Sequence, residues 1–433
     1  MSDITEALQV EQTEMVGYYE HLHRHPELGL HEFQTAAYIA DLLKGWGYDV
    51  VCGVGGTGVV ATLENHPGDV AGANDAHADN AAWSADTASA GGESYPVGGV
   101  STASAGGRKI ALRAEMDALP MQEGNGAKAA MQADGSARVC SEVPGVAHMC
   151  GHDGHCAMLL GAAKYLAKTK NFNGTLRLIF QPAEETMGGS IAMMDDGLLE
   201  RFPIDAIFGM HNSPGLDVGK IYLHDGPVLT AADKWEIELE GKGVHGSMPD
   251  KGIDPIVAGS ALVMALQTVV SRNVSPTETA VVTVGSFQSG TTDNIIPQTA
   301  LLKMCVRTAS PETRQIVLNR IREITVGVAS AYGVTCDIRE GRAGAVLVND
   351  AELGAQCRAA ALQALGADGV ELNGEAEMAS EDFAYYTQRI PGFYVMIGIG
   401  DTPMNHHPDY HFNTNALVSG AAYWAAITEA LLK

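Results

Sequence analysis

The sequence AHMCGHDGHC, residues 147–156, places thiol, imidazole and carboxylate side chains within ten positions. Cys150 and His152 stand two positions apart, and a thiolate and an imidazole are both good ligands for a divalent metal ion such as zinc. The two glycines allow the backbone to turn so that neighbouring side chains point at one centre. Apolar residues at helical spacing follow, including Met158 and Leu166. We therefore predict a metal-binding loop that enters a helix; the alternative is a buried cysteine with core histidines.

The composition indicates an acidic chain with a sizeable core. Of 433 residues 46% are hydrophobic, and a length of roughly 150 residues per domain suggests two or three domains. The net charge of −25 argues against nucleic acid or an anionic membrane as partner, since both need a basic patch. Seven scattered cysteines and the lack of an apolar leader in the first residues predict a cytoplasmic protein.

Candidate ligands stand at the ends of predicted strands. The strand KIALRAE leads to Asp117, TLRLIF runs into QPAEE with Glu184 and Glu185, and IDAIFGMH ends on His211. Open α/β sheets bind ligands beyond the carboxyl ends of their strands, so one sheet edge would gather these groups. For Glu184–Glu185 the alternative is a solvated acidic pair.

The pattern also divides the chain. Residues 230–341 read β-α-β-β-α-β, the order of the ferredoxin-like split motif, and predict an inserted α+β domain. Residues 1–229 and 342–433 would form the other domain, of the α/β class. Within it, residues 65–108 are rich in Ala, Gly, Ser, Asp and Asn, and we expect a flexible surface insertion.

Except for residues 65–108, the chain resembles the hippurate hydrolase and auxin-conjugate (indoleacetyl-amino acid) hydrolase branch of the aminoacylase/carboxypeptidase metallopeptidases. The resemblance rests on ordered motifs: HRHPELG, LRAEMDALP, CGHDGH, IFQPAEE, GMH, GKGVHGSMP, DNIIP, SEDFAYY and HHP. It implies a mixed-sheet catalytic domain with a dinuclear metal site, and a ferredoxin-like lid domain through which the chain forms a homodimer. The implied reaction is hydrolysis of the amide bond of N-acyl amino acids, hippurate or related conjugates, to a carboxylic acid and a free amino acid.

The resemblance also implies a ligand set for two divalent ions. Cys150 would bridge them, and the other ligands would be His152, Glu185, His211 and His406. His406 is favoured because the family's ligand stands two residues before the proline, although His407 stays an alternative. A mixed sulfur, nitrogen and oxygen set suits zinc, with manganese, cobalt or nickel as other occupants.

Further residues resemble the family's catalytic and substrate-binding groups. Glu184 would take a proton from water and return it to the leaving nitrogen, while Asp117 would orient a metal ligand. His245 would reach the substrate oxyanion, often across the dimer interface. Asn294 and Arg307 would hold the substrate carboxylate, for which a guanidinium supplies a bidentate fork and a local cation.

Some assignments stay open on the sequence alone. Glu115 stands where the branch usually has aspartate, and no direct role is assigned to it or to Glu381 and Asp382. His148 and His155 are expected to be supports rather than ligands. The competing functions are a metallo-carboxypeptidase or dipeptidase using the same site, a catalytically inactive ligand-binding protein, and a protein with one structural zinc.

Overall fold

The computed structural model describes residues 2–67, 107–124, 139–341 and 344–433, so most of the predicted insertion lies outside the described residues. The α-helices are α1 (Asp3–Val10), α2 (Gln12–Arg24), α3 (Phe33–Gly45), α4 (His152–Thr169), α5 (Gly189–Asp195), α6 (Leu198–Arg201), α7 (Pro255–Asn273), α8 (Pro311–Tyr332), α9 (Ala351–Leu365), α10 (Ala384–Thr387) and α11 (Leu417–Leu431). The strands are β1 (Asp49–Val54), β2 (Gly58–Asn65), β3 (Lys109–Glu115), β4 (Gly174–Gln181), β5 (Ala206–Ser213), β6 (Ile221–Tyr222), β7 (Gly226–Leu229), β8 (Ala231–Glu240), β9 (Val244–His245), β10 (Ala280–Ser289), β11 (Ile295–Ile296), β12 (Thr299–Thr308), β13 (Thr335–Glu340), β14 (Leu347–Asn349), β15 (Val370–Glu371) and β16 (Gly392–Gly398).

The large sheet has eight strands in the order β1-β2-β4-β3-β5-β16-β6-β15. Strands β4, β3, β5 and β16 pair in parallel, whereas β1–β2, β2–β4 and β16–β6 are antiparallel. The central strands are buried along nearly their whole length, which matches their continuous apolar sequences, as expected where both faces of a parallel sheet are covered. The predicted mixed-sheet α/β fold is confirmed.

Helices cover both faces of the large sheet. One layer contains α4, which packs against α2 and α11, and α11 is buried around most of its circumference because its sequence is apolar on every side. Glycine permits the close approach of α11 to α4, since a Cβ at Gly420 would lie 2.0 Å from Sδ of Met158. The opposite face is covered by a second apolar cluster that includes Met193, Tyr386 and Tyr394.

The small sheet has four antiparallel strands in the order β10-β12-β8-β13, with α7 and α8 packed on it. This is the strand order of the ferredoxin-like split motif. Strand β8 alternates, so Trp235, Ile237 and Leu239 are buried in a separate apolar core while the residues between them point outward. The small sheet therefore has a core of its own.

Within the described residues, α7 is the one helix that is long and apolar enough to cross a membrane by length and composition. A helix that covers a β-sheet in a soluble protein passes the same test. Leu262, Leu266 and Val269 of α7 are buried in the core of the small sheet, which accounts for their apolar character.

Candidate metal centre and active site

Three segments deliver Cys150, His152, Glu185 and His211 to one edge of the large sheet. Cys150 lies just before α4, and His152 is the first residue of that helix. Strand β4 ends at Gln181 and leads into the turn that contains Glu185, while His211 lies near the end of β5. Because β4, β3 and β5 are parallel neighbours, their carboxyl ends meet at the same edge.

These side chains form two donor groups that share one sulfur. Donor atoms of Cys150, His152 and His211 lie within 4.8 Å of one another, and so do those of Cys150, Glu185 and His406. The Sγ of Cys150 is 3.4 Å from Nε2 of His211, and Nε2 of His406 is 3.3 Å from Oε1 of Glu185. The thiol of Cys150 is thus common to both donor groups.

The polar atoms of this cluster fit a bound cation. Nδ1 of His152 contacts the Asp117 carbonyl oxygen at 2.8 Å, whereas its buried Nε2 has no hydrogen-bond partner among the described residues. Burial, followed by the charges of Glu185 and Glu184, raises the pKa of the Cys150 thiol well above its usual value. A thiolate at this position therefore needs a nearby cation, and a divalent metal ion supplies one.

Asp117 connects two of the candidate ligands. Its carbonyl oxygen accepts from His152, and its Oδ2 accepts from the backbone amide of Glu185 at 3.0 Å. Burial alone would lower the pKa of His152, but the hydrogen bond to Asp117 and the surrounding carboxylates outweigh it and raise that pKa to about 9.

Glu184 lies beside the donor groups in a tight turn. Its side chain is almost completely buried, and Oε2 is 3.9 Å from Nε2 of His152. Burial is the main cause that raises the pKa of Glu184 well above its usual value, and the charge of Glu381 is the next. An acid in such an environment can carry a proton between water and substrate.

A buried cation that the sequence reasoning missed organises the carboxylates behind the site. Arg113, on β3, contacts Glu115 and donates to Glu381 at 2.8 Å and to Asp382 at 2.9 Å. The one guanidinium serves all three carboxylates, because it offers five donors in a fixed fork. An arginine with apolar neighbours on both sides in the strand KIALRAE was the available signal.

The two neighbouring histidines have different surroundings. His155 contacts Glu115 through Nδ1 at 2.7 Å, and its Nε2 is 3.0 Å from the backbone nitrogen of Asn212, so both ring nitrogens are engaged. His148 is buried, neither of its ring nitrogens has a hydrogen-bond partner among the described residues, and burial lowers its pKa to about 4.

The candidate ligands open onto a cavity of about 530 Å³ between the two sheets. Its wall on the large-sheet side includes Cys150, His211 and His406. Arg307 and Lys234 line it from the small sheet, and Nη1 of Arg307 is buried without a hydrogen-bond partner in the described part of the chain. The cavity thus faces donor groups on one side and cations on the other.

Lys234 and Glu377 are cavity residues that the sequence reasoning missed. Lys234 points outward from β8 next to the buried Trp235, so the strand alternation was a signal for it. Glu377 accepts a hydrogen bond from Oγ of Ser213 at 2.9 Å, and burial raises its pKa. Glu377 lies three residues before the SEDF motif, and nothing in the sequence around it indicated that its side chain lines the cavity.

Two predicted residues lie apart from this cavity within the same chain. His245 on β9 and Asn294 just before β11 are exposed and adjacent, and the amide of Gly246 donates to the carbonyl oxygen of Asn294 at 2.7 Å. Neither is among the residues that line the cavity, in contrast to Arg307. His407, the alternative to His406, is also exposed and instead accepts from the amide of Asp409 at 3.0 Å.

A mixed sheet with paired sulfur, nitrogen and oxygen donors beside a buried glutamate defines a metal-dependent hydrolase. The chain belongs to the peptidase family M20/M25/M40, and the sequence model of that family matches residues 111–430. The family membership predicted from the motifs is confirmed.

Relatives and solved structures agree with this membership. The chain is 37% identical to a hippurate hydrolase of Campylobacter jejuni over 95% of both chains. It is 34% identical to an N-acetyl-L-cysteine deacetylase of Bacillus subtilis, over 95% of this chain and 86% of the relative. A dinuclear metal-binding peptidase of the M20 family from Bacillus subtilis has a similar crystal structure, with a TM-score of 0.75, 30% identity and coverage of 98% and 99% of the two chains. The predicted metal-dependent hydrolase is therefore confirmed at the level of class.

Proposed function

We propose that this protein hydrolyses the amide bond of N-acyl amino acids, releasing a carboxylic acid and a free amino acid. The observation that carries the proposal is the shared cavity. Two donor groups that meet at Cys150 lie beside the buried Glu184, and Arg307 faces them with an unpaired guanidinium nitrogen. The hippurate hydrolase and deacetylase names of the similar proteins support the same reaction class.

Cys150, His152 and His211 would hold one divalent ion, and Cys150, Glu185 and His406 the other. Bound there, the ions supply Lewis acidity toward the amide carbonyl and lower the pKa of water. Zinc is our first choice for this mixed donor set, with manganese, cobalt and nickel as further candidates.

Glu184 moves the proton. Its carboxylate accepts the proton of the attacking water and then donates it to the amide nitrogen, so that the amine leaves in neutral form. The burial of Glu184 supports this role, because burial raises its pKa, and a carboxyl group with a raised pKa can retain the proton until it is delivered to the amide nitrogen. Asp117 keeps His152 and the Glu185 backbone in place through the contacts described above.

Arg307 binds the carboxylate of the amino-acid half. A buried guanidinium nitrogen without a partner is costly, and a substrate carboxylate satisfies it with a charge-assisted hydrogen bond. This local cation also offsets the repulsion that a chain of net charge −25 exerts on an anionic substrate.

His245 and Asn294 would act in a homodimer, in which the small-sheet domain of one chain is a lid that reaches the cavity of the other. Their exposed position away from the cavity of their own chain supports this arrangement. Apolar residues on the outer side of α7, Val257 and Met264, are also exposed and would pack at the interface. The free state of all seven cysteines supports a reducing cytoplasm as the location.

The central test replaces Glu184 with glutamine and measures hydrolysis of N-benzoylglycine by the metal-loaded enzyme. We expect kcat to fall at least about 100-fold, the usual size of a general-base effect, with metal content unchanged. Glu200→Gln, on the exposed helix α6, is the matched control. Activity within a few-fold of the parent in Glu184→Gln would remove the proton-transfer role.

Mixing two inactive variants tests whether each active site contains residues from both chains of a dimer. If His245 serves the partner's cavity, dimers of His245→Ala with Glu184→Gln contain one fully intact site, and random exchange restores about a quarter of the parent activity. No recovery in a preparation that light scattering shows to be dimeric would contradict the arrangement.

A metallo-carboxypeptidase is the second candidate, since the similar Bacillus subtilis structure is described as a peptidase. Parallel measurement of kcat/KM for N-benzoylglycine and for glycine dipeptides separates the two. A clear preference for the dipeptides would replace the acyl-amino-acid proposal.

A further inference from the structure

The motif HRHPELGLHE, residues 23–32, covers the end of α2 and the segment after it, and Gly29 of this segment lies against the turn that contains Glu184. The amide of Ala118 donates to the carbonyl oxygen of Glu27 at 2.8 Å, which fixes this segment beside the loop of Asp117. Gly29 lies so close to the turn that a Cβ there would stand 3.0 Å from Cα of Ala183. The motif thus borders the candidate active site without lining the cavity.

Glu32, at the end of this segment, is completely buried and contacts the turn directly. Its Oε1 accepts a hydrogen bond from the backbone amide of Ala183 at 2.9 Å, and the hydroxyl of Thr57 donates to the other carboxylate oxygen. Thr57 is itself buried and lies in the turn between β1 and β2. Both oxygens of Glu32 therefore have defined partners from separate parts of the chain.

Ala183 has a backbone conformation that alanine rarely adopts. Its φ is +52°, in the left-handed region, which is unfavourable for a residue with a Cβ. Ala183 immediately precedes Glu184, so a change of its backbone dihedrals would redirect the glutamate side chain. The fold must supply contacts that maintain this conformation.

We propose that Glu32 is a positioning residue for the reaction, because its hydrogen bond to the Ala183 amide maintains the left-handed turn that points Glu184 into the cavity. The proposal rests on the proton-transfer role proposed for Glu184. On the other side of Glu184, Asp117 binds the amide of Glu185, so two buried carboxylates from separate segments hold the backbone on both sides of the acid. Glu32 acts on the base, whereas Asp117 acts on two metal ligands.

The experiment compares three variants of the full chain with metal bound, using N-benzoylglycine. In Glu32→Ala the acceptor is lost, and we expect kcat to fall about 10- to 100-fold, the usual effect of a small misplacement of a catalytic group. KM and metal content should change less than about twofold, since Arg307 and the donor groups are not touched. Glu32→Gln retains an acceptor oxygen and should stay within a few-fold of the parent.

The double variant Glu32→Ala with Ala183→Gly provides a rescue. Glycine adopts positive φ at no steric cost, so the native turn no longer depends on the carboxylate to offset the strain. We expect kcat to recover about fivefold relative to Glu32→Ala, the equivalent of roughly 1 kcal/mol of backbone strain. The recovery is read from kcat of folded, metal-loaded protein, which a change in general stability alone does not alter.

Glu27→Ala is the matched control. The Glu27 carboxylate accepts from the amides of Gln34 and Thr35 at the start of α3, so its removal weakens the same segment without touching Ala183. We expect kcat close to the parent. If Glu32→Ala does not fold, Thr57→Val releases the other oxygen of the same carboxylate, and a kcat lowered severalfold at unchanged metal content is then expected.

The proposal is wrong if Glu32→Ala, or Thr57→Val in its place, retains the parent kcat, if Glu32→Gln loses as much as Glu32→Ala, or if Glu27→Ala loses as much. Glu184→Gln, measured in the same series, distinguishes a failure of the positioning role of Glu32 from a failure of the proton-transfer role of Glu184. When Glu184→Gln is inactive and Glu32→Ala is fully active, the positioning role alone fails; when Glu184→Gln is active, the proton-transfer role fails with it.

Discussion

Asp117 accepts a hydrogen bond from the backbone amide of Glu185, with 3.0 Å between Oδ2 and the nitrogen. The carbonyl oxygen of the same aspartate contacts Nδ1 of His152 at 2.8 Å. One residue therefore fixes candidate ligands that belong to different donor groups. Since the Nδ1 contact leaves Nε2 of His152 available, Asp117 also determines which ring nitrogen is presented.

Asp117→Ala removes the carboxylate, which accepts from the Glu185 amide and whose Oδ1 lies 3.3 Å from Nδ1 of His152, and leaves the carbonyl contact with His152 in place. We expect it to weaken metal binding about 10- to 100-fold, the usual effect of removing a group that orients metal ligands. The affinity of metal-free protein for zinc, measured by competition with a chelating dye, checks this. Asp205→Ala is the control, because the Asp205 carboxylate accepts from the amide of Lys109 at 2.8 Å at the opposite end of the strands. Equal effects of the two substitutions would contradict the orienting role.

Cys150→Ala is expected to lower the metal content more than the loss of any other single ligand, because both donor groups include its sulfur. Elemental analysis of the purified protein after dialysis against zinc measures the ratio of metal to chain. Cys156→Ala removes a second buried thiol six residues away, whose Sγ donates to the carbonyl oxygen of Glu115 at 3.0 Å, and should retain the parent ratio. A Cys150 variant that still binds two ions would exclude a bridging role.

The parts of the fold that were predictable depend on patterns within one segment. Continuous apolar runs identified β3, β4 and β5, because strands that are buried on both faces are apolar at nearly every position. Alternation of apolar and polar residues identified β8, because that strand is buried on one face. The convergence of Glu185 and His211 at one sheet edge followed from the rule that parallel strands end together.

Contacts between distant segments were not predictable in the same way. Nothing near Glu32 in sequence indicates that its carboxylate meets Ala183, since 151 positions separate them. Arg113 could be flagged as a charge in an apolar strand, yet its partners Glu381 and Asp382 lie more than 250 residues away. Such pairs are defined by tertiary packing, which local periodicity does not record.

Arg307→Ala is expected to raise KM for N-benzoylglycine about 10- to 100-fold with a smaller effect on kcat, because a hydrogen bond to a charged group contributes about 1.5–3 kcal/mol. The methyl ester of the same substrate lacks the carboxylate, so its KM should hardly change. Lys303→Ala, on the same strand but exposed and paired with Glu236, is the control. If the substitution affects ester and acid equally, Arg307 does not bind the carboxylate.

Arg113→Met is expected to lower the free energy of unfolding by about 3–5 kcal/mol, since removing one partner of a buried ion pair leaves uncompensated charge. Glu115, Glu381 and Asp382 would all lose their cation. Urea denaturation followed by circular dichroism measures the change. Arg339→Met, whose exposed guanidinium pairs with Asp337 on β13 and with Glu236 and Glu238 on β8, should leave the midpoint nearly unchanged. A similar loss of unfolding free energy in both variants would contradict the prediction that disrupting the buried ion pairs of Arg113 costs more than disrupting the exposed ones of Arg339.

Glu32→Gln is expected to change how stability depends on pH. Burial is the main cause that raises the pKa of Glu32 above its ordinary value of 4.5, and it outweighs the hydrogen bonds from Thr57 and Ala183. A carboxyl group with a raised pKa stabilises the folded state fully below pH 4.5 and loses that contribution as the pH rises through the folded pKa. The parent should therefore lose stability relative to Glu32→Gln as the pH rises from 4.5 through the folded pKa of Glu32, and the difference should become constant above that pKa. Urea unfolding of both proteins at matched ionic strength measures it, and a difference that is independent of pH, or that favours the parent at higher pH, would contradict the buried charge at Glu32.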